Sequence, residues 1–179
     1  KVMSYTKTGE RNRKSGLKCQ DCVCCMENAE NGIHVITLAD GTGVDDLART
    51  GAEHSAQTLA KLLSDPGNFE EFYSMEKELV QYNVITMIQS ELYDLCEKYD
   101  VGLEKLHSTL LGLAVDEKNE RFLMIHLGDG CVGMRKNEKF LIMSFPENGR
   151  SRSQTYLTSQ HKVGKHVRVV RNQIRDIRE

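Results

Sequence analysis

The sequence has no apolar run near the ~20 residues a bilayer-spanning helix requires, and its Lys1 start lacks the charged-then-apolar pattern of a secretory leader. No membrane association is expected, and the cytoplasm is the default compartment. Charge of one sign is also missing. A net charge of -2, with 28% charged and 39% hydrophobic residues, gives no electrostatic reason to expect nucleic acid as a partner. There is no internal repeat. At 179 residues the chain suits one domain with a real core, residues 1–179, rather than two.

A second pair of zinc ligands is absent too. Cys19, Cys22, Cys24 and Cys25 crowd into seven residues, but no Cys or His pair at ligand spacing follows, as a structural zinc site would require. The alternative is a strand in which free thiols act as small hydrophobes.

What the chain does have is a pair of Asp-Gly turns, Asp40-Gly41-Thr42-Gly43 and Gly128-Asp129-Gly130, each directly after an apolar run that reads as a strand. A carboxylate at a strand end, beside glycines that let the backbone turn and expose its carbonyls, can reach a hard metal ion. Asp40-Gly41 also reads as a plain strand-to-helix turn with Asp40 as a helix cap, and the Asp129 turn as a tight hairpin.

Val2 to Thr6 alternates weakly as an edge strand, and Lys7 to Lys18 reads as a basic loop. Glu27 to Gly32, a polar turn ending in Asn31-Gly32, joins the strands Asp21 to Met26 and Ile33 to Ala39 into a hairpin, which brings Asp21 and Asp40 to the same end. Val44 to Ser64 carries an amphipathic stripe closed by Asp65-Pro66-Gly67, and one long helix is expected from Phe69 to Tyr99, free of Gly and Pro. The two helices should pack antiparallel. Four strands follow in meander order (Leu110 to Val115, Phe122 to Leu127, Cys131 to Met134 and Phe140 to Phe145). Pro146 to Ser153 reads as a polar loop, and Thr155 to Thr158 and His166 to Val170 as weak strands. The order of elements predicts an α+β fold with helices laid on an antiparallel sheet.

Four patches in this order resemble the metal-dependent type 2C (PPM) serine/threonine protein phosphatases, in particular the bacterial branch with Cys-Gln-Asp at the first motif. They are Gly9 with Cys19-Gln20-Asp21; Leu38-Ala39-Asp40-Gly41-Thr42-Gly43 with Gly51-Ala52 behind; Ser108-Thr109-Leu110-Leu111; and His126-Leu127-Gly128-Asp129-Gly130. The resemblance implies two antiparallel sheets packed as a sandwich, flanked by antiparallel helices. It also implies a centre of two or three Mn2+ or Mg2+ ions that activates water for in-line attack on a phosphoserine or phosphothreonine ester. By position Asp40 would bridge the metals, Gly41 would lend its carbonyl, Asp21 would sit beside them, and Asp129 would serve a third ion. The partners implied are a phosphorylated protein and a Ser/Thr kinase in a signalling pathway.

Three departures accompany the resemblance. Gln20 stands where the family usually has Glu, which removes one charge. Gly16 occupies the position of the usual phosphate-binding arginine, leaving Arg13 and Arg11 as candidates, with Lys14 and Lys18 nearby. The family's later carboxylates, in a Ser-Asp-Gly or Thr-Asp-Gly strand end and an Asp-Asn, have no counterpart before Glu179, so the family domain reads as incomplete at its C-terminus. The segment Lys162 to Arg178, with six Lys or Arg, reads as an exposed strand. A catalytically weak or inactive relative acting as a signalling interaction module is the alternative function.

Overall fold

A computed structural model describes residues 3–43, 45–149 and 154–177. Its centre is a five-stranded antiparallel sheet in the order β1-β2-β3-β4-β7, formed by β1 (Asp21–Asn28), β2 (Ile33–Asp40), β3 (Leu110–Asp116), β4 (Arg121–Leu127) and β7 (Arg168–Gln173). A second antiparallel sheet is the hairpin of β5 (Val132–Lys136) and β6 (Lys139–Ser144). The fold is therefore α+β with two antiparallel sheets, as expected.

The pleat of β2 determines which side chains reach the site. Ile33, Val35, Thr37 and Ala39 are buried beneath α2 (Asp46–Ser64), where Thr37 Oγ1 donates to the Ala56 carbonyl at 2.8 Å. The alternate residues, ending in Leu38 and Asp40, face the other side. On that side the hairpin lies over β3 and β4. Val132, Met134 and Met143 share an apolar cavity of about 170 Å³ with Leu113, Val115 and Met124.

α2 begins with Asp45, whose carboxylate accepts from Leu47 N–H, and ends at Asp65, whose carboxylate in turn accepts from Asn68 N–H to start the next helix. The single helix expected from Phe69 to Tyr99 is instead two, α3 (Pro66–Ser74) and α4 (Lys77–Tyr99). The buried stripe explains the break. Phe69 and Phe72 would be followed on the same face by residue 76 and then Val80, and residue 76 is Glu, which the core does not accept. The 3-10 turn Leu103–Leu106 after α4 packs on Gly51, bringing the end of α4 back toward the start of α2, and His54 Nδ1 meets Glu91 Oε1 at 2.7 Å between the two helices.

Other local expectations are corrected. Residues 3–6 form no strand and are exposed, while Val2 lies outside the described residues. The basic loop contains a short helix, α1 (Glu10–Lys14). Thr155 makes only an isolated bridge with Asn148, and residues 150–153 of the expected loop lie outside the described residues. The last basic segment is not a free strand: β7 pairs with β4 and buries Val169, although Arg178 lies outside the described residues. Among the described residues no helix is long and apolar enough to cross a membrane.

Candidate metal centre

The β1–β2 register places Asp21 directly opposite Asp40. Residues opposite each other in an antiparallel pair share a face, so both carboxylates open on the side away from α2. Asp129, in the turn after β4, reaches the same cleft of about 430 Å³, whose other walls include Leu38, Thr109 and Leu111.

The turn after Asp40 is held from three sides. Asp40 N–H donates to Thr109 Oγ1 at 3.1 Å, Thr109 N–H donates to the Asp40 carbonyl at 3.0 Å, and Gly41 N–H donates to the Gln20 carbonyl at 3.2 Å. A Cβ on Gly41 would lie 2.4 Å from the Ala48 carbonyl oxygen, so only glycine permits α2 to pack this close. These bonds use the Gly41 N–H and leave its carbonyl out.

The Asp129 turn is anchored differently. Gly128 has φ +106, a region open to glycine, and its carbonyl accepts from Glu147 N–H at 2.9 Å and from Arg168 Nη2 at 3.4 Å. Arg168 also donates to the Phe145 carbonyl and lies against the buried ring of His126, whose Nδ1 is 2.7 Å from Ser144 Oγ. Burial, reinforced by the Arg168 charge, pushes the His126 pKa down to about 4.

The pKa of Asp40 is pushed up to about 6, first by burial of its carboxyl against the cleft wall, then by a hydrogen bond with the Asp21 carboxyl and the negative charges of Asp21 and Asp129. Asp40 keeps solvent on one side, so the crowding is local. Among the described residues no Lys, Arg or His lines the cleft. Like charges held together without a counter-charge favour either a proton or a cation between them. Two carboxylates with the Gly41 carbonyl beside them are oxygen donors that suit Mg2+ or Mn2+ rather than a soft metal, although the exposed Cys131 also lines the cleft. The thiols of Cys22 and Cys24 pack on the core instead, and burial raises both of their pKa values. Among the described residues no three of His, Cys, Asp and Glu gather closely enough to enclose an ion; the site is a pair with Asp129 at longer range.

The profile of the protein phosphatase 2C family matches residues 8–179. The chain belongs to that family. A sequence comparison with curated proteins gives no significant match. Among solved protein phosphatase structures, an arginine-to-glutamate variant of a bacterial serine phosphatase superposes with a TM-score of 0.63 at 14% identity, over 96% of this chain and 70% of that one. The serine/threonine phosphatase of S. agalactiae gives 0.57 at 13% identity, over 88% of this chain and 69% of that one. RsbX in complex with magnesium gives 0.52 at 15% identity, over 87% and 61%. These likenesses concern the fold. The chain spans 61% to 70% of the length of these relatives.

Of the two phosphate-binding candidates only Arg13 can be placed relative to the cleft. Arg13 is exposed on α1 and does not line it, and the Arg11 side chain lies outside the described residues. Three contributors escaped the sequence reading: the Thr109 hydroxyl under Asp40, the Arg168–His126 pair behind Asp129, and the side chain of Gln20. Thr109 and His126 lie inside the recognised patches, but nothing in the spacing announces which backbone groups they meet.

Proposed function

We propose that the protein is a protein phosphatase of the type 2C class that hydrolyses phosphoserine and phosphothreonine esters in proteins with the help of divalent cations, Mn2+ or Mg2+, held at the Asp21–Asp40 pair. The observation that carries this reading is the paired carboxylates at the start of β1 and the end of β2, one driven to a pKa of about 6 with no cationic side chain in the cleft among the described residues. Asp40 and Asp21 would hold the ions with the Gly41 carbonyl, and Asp129 would serve a further one. When bound, such ions supply Lewis acidity toward the phosphoryl oxygens and lower the pKa of water. Thr109 holds Asp40 in place through its backbone, and the Leu38 and Leu111 walls limit water beside the reacting ester. The 179 residues act as one domain, with a Ser/Thr kinase as the opposing activity and the cytoplasm as the compartment.

The purified protein is expected to hydrolyse p-nitrophenyl phosphate and a phosphothreonine peptide only with Mn2+ or Mg2+ present. An Asp40→Asn variant that keeps the wild-type rate sinks this assignment.

Among the described residues, the absence of a cation from the cleft lining and of a third carboxylate in contact favours a second reading, an inactive relative that serves as a signalling interaction module. Calorimetry decides between them: two tightly bound Mn2+ ions contradict a purely structural role.

A further inference from the structure

Gln20 is 6% exposed, yet it does not line the cleft beside its neighbour Asp21. Its Nε2 donates to the Asp45 carbonyl at 2.9 Å and to the Gly43 carbonyl at 3.4 Å. Its Oε1 accepts from Asn12 Nδ2 at 3.1 Å. Its own backbone carbonyl accepts from Gly41 N–H. Both amide hydrogens and one oxygen lone pair are thus committed, and all but the Asn12 bond go to the 41–45 loop that joins Asp40 to α2.

Such a pattern requires an amide. A carboxylate of the same shape has no hydrogen to give, and would set its oxygens against two carbonyl oxygens in a buried place, where unpaired polar groups are costly. The residue therefore differs in kind from an acidic neighbour of a metal, and the missing charge is not a simple loss.

We propose that Gln20 is a positioning residue that sets the 41–45 loop, and with it the Gly41 carbonyl and the direction of Asp40, for cation binding. It also ties α1, which carries Arg11 and Arg13, to the same loop through Asn12. This deepens the metal-dependent reading above and rests on it. Its consequence runs against the charge count. Gln20→Glu adds a negative charge next to Asp21, which by Coulomb attraction alone should tighten a divalent cation, but the loss of the loop should loosen it.

The test uses the whole protein as wild type, Gln20→Glu and the near-isosteric, apolar Gln20→Met. Hydrogen exchange of the amides in 41–47 is measured without metal, followed by calorimetric titration with MnCl2. Both variants are expected to exchange about tenfold faster in this segment while β3 and β4 keep their protection. Both are also expected to bind Mn2+ about tenfold more weakly, the scale of lost second-layer support around a metal. Unchanged exchange overturns the proposal, as does Gln20→Glu binding Mn2+ as tightly as wild type or more so. If Gln20→Glu shows no native circular dichroism, Gln20→Met carries both measurements. If the wild type takes up no Mn2+, the cation reading fails, and the exchange data alone still decide whether Gln20 holds the loop.

Discussion

At one end of the main sheet Asp116 is 2% exposed and meets Arg121 Nε at 2.9 Å and Asn119 Nδ2 at 2.7 Å; Arg121 continues to Glu70 at 2.6 Å and lies over the rings of Phe69 and Tyr73. At the other end, seven residues along β2, Asp40 faces Asp21 with no cationic side chain in the cleft among the described residues. The hydrogen bonds and charge of Asn119 and Arg121 outweigh the desolvation of Asp116 and hold its pKa below the usual carboxylate range, whereas at Asp40 burial comes first and the neighbouring Asp21 and Asp129 add to it, with no cation to offset them, so its pKa rises to about 6. Both acids close neighbouring strands of one sheet, Asp40 the end of β2 and Asp116 the end of β3. What separates them is whether the fold supplies its own counter-charge, and the end where it does not is the end with something left to bind.

The sharpest way to break this contrast is at Asp40. Asp40→Asn is expected to lower Mn2+-dependent phosphatase turnover on the order of 100-fold or more, the scale of losing one charge-stabilising group at a reacting centre. A steady-state assay with phosphopeptide checks it, and a loss below tenfold would make the two ends equivalent. Asp116→Ala should leave metal affinity intact but cost about 3 kcal/mol in denaturant unfolding, because Arg121 is left partly uncompensated in a largely buried position.

The pH response separates the ends by sign. Since the folded pKa of Asp40 lies above its unfolded value, its contribution to metal-free stability is fully present below pH ~4 and is lost as pH rises through about 6. The solvent on its open side limits the swing to about 1 kcal/mol. Asp116 behaves oppositely: its contribution is present above pH ~4 and is lost as pH falls through its depressed value. Thermal melts of metal-free protein between pH 4 and 7 should show a decline that flattens in Asp40→Asn but not in Asp116→Ala. The smallest effect belongs to a pair away from both ends. Removing the exposed Arg135–Glu138 contact should change stability by less than about 0.5 kcal/mol.

Much of the site end could be read directly from the residues. The polar turn ending in Asn31-Gly32 marks a hairpin that puts Asp21 and Asp40 at the same end, while the four-residue loop 29–32, with Asn28 opposite Ile33, sets the register that places them directly opposite. The α2 stripe and the strands themselves were legible for the same reason, since each is a local pattern repeated over several residues, but the expected four-strand meander breaks after β4, which pairs with β7 while β5 and β6 form their own sheet. The far end was not. Asp116, Arg121 and Glu70 look like ordinary surface charges in sequence, and only the approach of α3 to the sheet edge makes them a cluster. The α3–α4 break was hidden because one glutamate on a buried stripe weighs little in a periodicity, yet decides whether a helix can continue. Gln20 read as an acid with its charge removed, because hydrogen-bond direction has no signature in spacing.

His126 has a consequence for spectroscopy. Enclosed by Arg168, Ser144 and the Gly130 backbone, with a pKa near 4, it stays neutral from mildly acid to alkaline solution. Its ring protons should therefore hold constant NMR shifts while the carboxylates titrate, making this histidine an internal reference next to Asp129, whose signals move only when the turn itself does.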